Sequence, residues 1–359
     1  MKILYILIAL VIILQSCSTD IPKSRQIKTP TVVDEVFNVI EPFDSTKINN
    51  FLLKTDSIEN YDYTDYSITL ESRLNSKHNS IYAVPFIYAW QEIKKEIGDK
   101  IKRIESKNLK RLNNSRTYKN VLNPDEYKTT IKHEGDEITA TAEFFKSLSF
   151  YEPLTEFNKP FKFKNTNVKS FGFYREAAGV SIAYYVNDKN FAIKFRPIQN
   201  EHEIILILTK NKKKSFLDYY TLYENQIEKF KLDSIRWKHQ FTNLDKVIIP
   251  NINFNLSYNF PSITNTSFST NTMRVFNITK AYQKTAFVLN YNGAAIRSKA
   301  ELTVVESACD AIEQMKPEPK NMIFNTDFVL FLKRKDADLP YFGLSITNDE
   351  LLEKFPTNN

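Results

Sequence analysis

Two cysteines, four histidines and six glycines are all that 359 residues contain of three residue types on which much site chemistry depends. So few glycines leave no phosphate cradle. Neither a P-loop, a dinucleotide fingerprint nor a G-x-S-x-G elbow occurs. The histidines, His78, His133, His202 and His239, lack the i, i+4 spacing that puts two imidazoles on one metal. His202 is flanked by Glu201 and Glu203, but in a strand these neighbours alternate faces, and a metal there would need ligands from elsewhere. Cys309 lies near Glu306 and Asp310, whose charges raise a thiol pKa and argue against a nucleophile. No catalytic residues, no metal and no cofactor are therefore expected, and the chain is read as a non-enzyme.

A membrane-length apolar run is missing too. The stretch from Ile3 to Leu14 falls short of the roughly 20 residues that span a bilayer. With Lys2 before it and Gln15-Ser16 after it, it has the layout of a secretory signal over residues 1–16. Leu14-Gln15-Ser16-Cys17 then resembles the lipobox of bacterial lipoproteins. That resemblance implies cleavage before Cys17, lipidation of Cys17 and a cell-envelope location on the outer membrane or its periplasmic face. Two or three acyl chains give stable anchoring where one gives marginal binding. An ordinary signal peptide with an incidental cysteine is the alternative. With Cys17 lipidated, Cys309 has no partner, so no intrachain disulfide is expected. Residues 17–40, polar and carrying Pro22 and Pro30, read as the lipidated cysteine and a tether. Residues 41–359 read as a single domain.

The formal charge of +7 drops to +6 when Lys2 leaves with the signal, and both signs are interleaved along the chain. The densest cationic stretches are Lys210 to Lys214 and Lys94 to Arg111. For an exported chain these point to solvated loops or an anionic membrane surface, and nucleic acid is not expected as a partner. Nothing in the pattern implies an oligomeric state.

Residues 41–134 are expected to be mainly helical, because Tyr88, Ile93, Ile97, Ile101 and Ile104 recur at steps near three and four. From about residue 137 the texture becomes short β-rich runs separated by polar turns, interrupted by a helical pattern from Phe216 to Phe230. A helical N-terminal part followed by mostly antiparallel strands makes the expected class α+β.

The C-terminal third carries a resemblance. The segment from Lys284 through Thr285, Ala286, Asn290 and Gly293 to Ala294 resembles the hinge of serpins, which reads approximately K-A-x-V-E-V-N-E-E-G-T. Thr326 to Leu332 is similar to that family's D-H-P-F-L-F-x-I strand, and Leu339 to Ser345 to its I-L-F-M-G-R-V strand. Ala140 to Ser149 is similar to V-N-A-x-Y-F-K-G-x-W, with Ser149 in place of the tryptophan. The blocks occur in the family's order over roughly residues 137–346. The resemblance implies a serpin-like α+β fold with an exposed reactive loop, and inhibition of a serine or cysteine protease by insertion of the cleaved loop into a sheet. It places the hinge at Asn290, Gly293, Ala294 and Ala295, the bait loop at 294–320 and the scissile bond near Ser307-Ala308. A small residue before that bond suits elastase- or subtilisin-like proteases.

The residues themselves agree in one respect. From Gly293, the even positions Ala294, Ile296, Ser298, Ala300, Leu302 and Val304 are small or apolar, whereas the odd ones, Ala295, Arg297, Lys299, Glu301 and Thr303, are mainly polar. That is how a strand with one buried face reads. A permanent strand would read the same way. Tyr291 and Asn292 stand where serpin hinges carry two glutamates, and Ile296, Arg297 and Lys299 replace small residues. Slower loop entry would follow. A non-inhibitory binding or assembly lipoprotein with a fixed serpin-like sheet is therefore the alternative function.

Overall fold

The computed structural model describes residues 54–356 apart from 135–136, 145, 199 and 296–317. Among these residues, strands greatly outnumber helices. In chain order they are β1 (Asp56–Ser57), β2 (Thr64–Ser67), β3 (Asn79–Ala83), α1 (Pro85–Ile97), β4 (Ile101–Ile104), α2 (Lys107–Asn114), β5 (Tyr127–Glu134), β6 (Glu137–Phe144), β7 (Ser147–Ser149), β8 (Thr155–Phe163), β9 (Thr166–Tyr174), β10 (Val180–Asn187), β11 (Asn190–Phe195) and β12 (His202–Thr209). There follow α3 (Phe216–Lys231), β13 (Lys246–Pro250), β14 (Ile252–Asn259), β15 (Ser267–Thr270), β16 (Val275–Asn277), β17 (Tyr282–Asn290), β18 (Gly293–Ala295), β19 (Asn321–Ile323), β20 (Phe328–Arg334) and β21 (Phe342–Ile346).

The largest sheet has seven strands in the order β10-β11-β12-β20-β21-β3-β2. Every residue of its central strands β20 and β21 is buried. Phe216 and Tyr220 of α3 pack edge-on against Phe331 of β20, which fixes the helix over this sheet. A five-stranded sheet, β1-β14-β17-β18-β7, packs beside it through Phe287 of β17 stacked on Phe342 of β21. Three smaller sheets complete the fold: β19-β13-β9-β8, β16-β15-β4 and the hairpin β5-β6. All pairings are antiparallel except β1 with β14, β2 with β3 and β13 with β19. The class is α+β.

The N-terminal part departs from its expected helical character. Over residues 54–134 strands alternate with two helices, and the periodic stretch from Tyr88 to Ile104 is broken in the middle. Helix α1 starts with Pro85 at its first turn and ends at Gly98, whose φ of +70° closes it in the left-handed conformation. Beyond that cap, Ile104 pairs with Phe268 of β15. Steps of four and three between Ile93, Ile97, Ile101 and Ile104 fit a helix, but a long-range strand partner claimed the last two of them. Among the described residues no helix is long and apolar enough to cross a membrane.

Candidate functional site

The residues singled out as a hinge form a tight hairpin. β17 and β18 are joined by the two-residue turn Tyr291–Asn292, with Asn290 paired to Gly293. The Asn290 side chain closes the turn by accepting from Asn292 N–H at 2.9 Å. The turn is also tied from outside, since Phe150 N–H donates to the Asn292 carbonyl at 2.9 Å and Leu154 N–H to that of Tyr291 at 2.8 Å. Gly293 has a φ of +134°, and a Cβ there would stand 2.5 Å from the Leu148 carbonyl oxygen and 2.8 Å from Ser149 Cα. Only glycine meets both demands.

Gly293, Ala294 and Ala295 are thus a strand of the sheet, paired on one side to β17 and on the other to β7, and Ala294 is buried. The expected bait loop begins at Ala294. Its first two residues, Ala294 and Ala295, are instead sheet-bound together with Gly293, because they meet the edges of β17 and β7 at once. Residues 296–317 lie outside the described residues, and with them the expected scissile pair Ser307-Ala308. Cys17 and the signal lie outside as well.

Below β18 the sheet changes character. β17 is paired along its whole length to β14, but its other edge has a partner only at Val288, Leu289 and Asn290. β6 leads into β7 and is paired on one edge to β5. At the far end, Thr279, just before β17, donates to the Glu137 carboxylate of β6 at 3.3 Å. β6 and β17 therefore run in the same direction on either side of a slot. It is one strand wide at the top, where β18 fills it, and among the described residues no strand pairs with the facing edges of Tyr282–Phe287 and β6. A strand continuing β18 would be antiparallel to both walls.

The walls are unequal. β17 presents a buried inner face, Gln283, Thr285, Phe287 and Leu289, toward the seven-stranded sheet. The β5-β6 hairpin is a thin flap with no fully buried residue among those described, resting on α1 through Tyr127 stacked on Tyr88 at 4.1 Å and through half-buried Ile138 and Ala142. Two-stranded sheets are marginal alone, so this wall depends on α1 and on the contacts at its base.

One pivot holds the flap. Glu126, immediately before β5, accepts four donors: Asn123 N–H at 2.6 Å, Lys146 Nζ at 2.5 Å, Arg334 Nη1 at 2.6 Å and His202 Nε2 at 3.0 Å. Lys146 comes from the β6–β7 junction, His202 opens β12 and Arg334 ends β20, so the cluster fastens the flap to the seven-stranded sheet. Arg334 is also forked onto Asp336 at 2.8 and 2.6 Å. Burial alone would raise the Glu126 carboxyl. The Asn123 N–H and the two cations outweigh it and hold the pKa at about 2. Burial first, and the charge of Lys146 second, depress His202 to about 4, so the ring is neutral at pH 7. A neutral ring donating from Nε2 to Glu126 leaves Nδ1 to accept the Tyr341 hydroxyl at 3.3 Å. Both nitrogens are occupied, and neither is offered to a metal. Glu203 pairs with Lys194 at 3.0 Å on the other face of the strand. Among the described residues no three His, Cys, Asp or Glu side chains converge as a metal site.

The chain returns from the undescribed segment at a second fixed point. Lys320 and Asp245 are both fully buried and pair at 2.8 Å, and the Lys320 ammonium also donates to the Trp237 carbonyl at 2.8 Å. Lys320 N–H donates to Asp245 at 2.7 Å, and Asn321 N–H to Asp188 at 2.8 Å. Sequence reasoning missed both ion clusters. Their members are separated by tens to hundreds of residues, and Lys320 sits in a stretch that reads as polar and exposed.

No protein-family model matches this chain, and no curated protein matches its sequence. Among solved structures it is similar to serpins. A highly specific serpin of the insect Tenebrio molitor superposes with a TM-score of 0.35 and 13% identity over 64% of this chain and 60% of that one. A serpin of the trematode Schistosoma haematobium gives 0.37 and 9% over 60% and 58%. Thyroxine-binding globulin in complex with thyroxine gives 0.34 and 9% over 59% and 55%. The chain thus matches 55% to 60% of the length of these structures.

Proposed function

We propose that the protein is a serpin-like lipoprotein of the bacterial cell envelope, held by lipid on Cys17, whose segment 294–320 is bait for a serine or cysteine protease. The observation that carries the reading is the slot between β6 and β17, already entered at its top by β18. Continuing that pairing by register sets Ile296 opposite Phe287, Ser298 opposite Thr285 and Ala300 opposite Gln283, all on the buried face with Ala294. On the other wall the same count brings Leu302 to Ala140 and Val304 to Ile138. Ile296 meets Phe287, Ser298 meets Thr285, and Leu302 and Val304 meet Ala140 and Ile138, while Ala300 is small enough to lie beside Gln283. The alternation in the sequence thus fits the slot in the one register that β18 permits.

Cutting near Ser307-Ala308 would free 296–307 to fill the slot, while β19, β20 and β21 keep the C-terminal piece attached. The experiment is limited proteolysis of the loop followed by thermal unfolding. Insertion raises the melting temperature, and Ile296→Asp abolishes the rise because an unpaired charge would be buried. A cleaved protein that melts at or below the intact one overturns loop insertion.

A second reading has its own observation. The hinge turn is tied at Phe150 and Leu154, and insertion would bring Lys299 beside Lys284 on the outer face. Such a loop enters slowly. A chain that is cleaved by elastase- or subtilisin-like proteases without forming a detergent-stable complex would be a binding or assembly lipoprotein with a fixed sheet.

A further inference from the structure

The formal charge of the whole chain is +7, and residues 94–119 alone hold ten Lys or Arg against three Asp or Glu, the same net +7. The excess is therefore local. These residues occupy the end of α1, β4 and α2, which adjoin in the fold, and Lys95, Lys100, Lys102, Arg103, Lys107 and Lys110 are exposed.

Against this surface stands the β15–β16 hairpin. One face of its sheet is inward: Phe268 stacks on Phe276 at 5.3 Å and meets Trp90 of α1 edge-on at 5.4 Å. The opposite face is a row of cross-strand partners, Val275, Ser269 and Arg103, in which Val275 is 66% exposed. At the tip, Met273 is 88% exposed at a φ of +64°, a conformation a non-glycine residue rarely takes. The tip is firmly held. Lys100 and Asn271 exchange bonds, Asn271 N–H to the Lys100 carbonyl at 2.8 Å and Lys100 N–H to the Asn271 side chain at 2.9 Å. Asp99 accepts from Thr272 at 2.5 Å and pairs with Arg274 at 3.4 Å. A rigid turn thus projects Met273 into solvent beside exposed Val275, with cations around both.

We infer that this hairpin tip and the basic surface beside it dock on an anionic phospholipid surface. Met273 and Val275 enter among the headgroups, and Lys100, Lys102, Arg103 and Arg274 meet the lipid charge. The inference rests on the envelope-lipoprotein reading only for bringing a membrane within reach. Chain long enough to reach a bilayer lies between Cys17 and the first described residue, Lys54. Docking would also orient the site. β16 leads into the start of β17, whereas the hinge turn is at its end, and nine extended residues put roughly 26 Å between them. The hinge turn would then be held off the lipid by about that length.

The test places a tryptophan at the tip. Full-length Met273→Trp is reconstituted in phosphatidylcholine vesicles with brominated acyl chains, with and without phosphatidylglycerol, and its added fluorescence is compared with that of Tyr174→Trp. Tyr174 is 60% exposed and lies on another sheet, β9. The expected result is quenching at 273 and not at 174 when phosphatidylglycerol is present. It should be lost with Lys100, Lys102 and Arg103 all changed to Glu, and lost in roughly 1 M salt, where the Debye length is about 3 Å. Val275→Trp repeats the measurement should the first variant fold poorly. An indole at 273 quenched no more than at 174, or quenched regardless of lipid charge, overturns the inference, as does capture of a dissolved polyanion without quenching. Failure of the anchoring reading looks different. The chain then carries no acyl mass and floats only with anionic vesicles, yet the indole at 273 is still quenched.

Discussion

Replacing Gly293 by alanine tests the hinge at its tightest point. The new Cβ would meet three backbone atoms at 2.5 to 2.8 Å, all on the Leu148–Phe150 segment, so no side chain can swing aside. The φ of +134° adds strain of about 1–3 kcal/mol for a residue other than glycine. The protein has one cheaper escape, which is to lift β18 off β7. That forfeits the three pairs Gly293–Ser149, Ala294–Leu148 and Ala295–Ser147 and uncovers Ala294. Each lost hydrogen bond costs about 0.5–1.5 kcal/mol net. Either route destabilises by about 2–4 kcal/mol. Gly98→Ala is the control, because its φ is also positive, at +70°, but nothing lies within 4 Å of the added atom. It should cost about 1 kcal/mol from the dihedral alone. Equilibrium urea unfolding measures both, and hydrogen exchange at Ser147–Ser149 shows whether β18 has lifted. A Gly293→Ala penalty no greater than that of Gly98→Ala would refute the argument from close approach.

Three further outcomes are expected. His202 titrates near 4 in the fold against 6.5 when free, so the unfolded chain binds the extra proton first. Stability is then complete above pH 6.5 and declines as pH falls toward 4, by on the order of 3 kcal/mol, and His202→Phe should flatten that slope in unfolding curves. Lys320→Ala strands a fully buried Asp245 carboxylate and should cost about 3–5 kcal/mol by urea unfolding, only part of it recovered in Lys320→Met with Asp245→Leu, because the Lys320 and Thr242 N–H groups lose their acceptor. Cys17→Ser should abolish labelling by a fatty-acid analogue and shift the protein out of the lipid-anchored fraction; undiminished labelling would count against lipidation at that residue.

Local pattern decides some features of this protein because its physics is local. Period-two alternation marks β6, since a pleated strand shows successive side chains to opposite faces whatever its partner. Scarcity makes Gly293 conspicuous, and a two-residue turn before it needs little more than Asn290 and the glycine. Continuous apolar runs such as Phe328–Leu332 identify central strands, and the helix around Tyr219 and Tyr223 follows from its spacing. Tertiary structure decided the rest. Ile101 and Ile104 fit a helix as well as a strand, and Gly98 with a partner in β15 chose between them. The Glu126 cluster gathers residues from four separate stretches, and none of them carries a sign that it will be buried with opposite charges. Lys320 reads as a solvated lysine and is fully buried, because Asp245 waits for it in a distant turn. The slot itself is invisible in one dimension. An unpaired edge is a property of two strands that fail to meet, and only the register of β18 between β7 and β17 shows where the alternating segment can go.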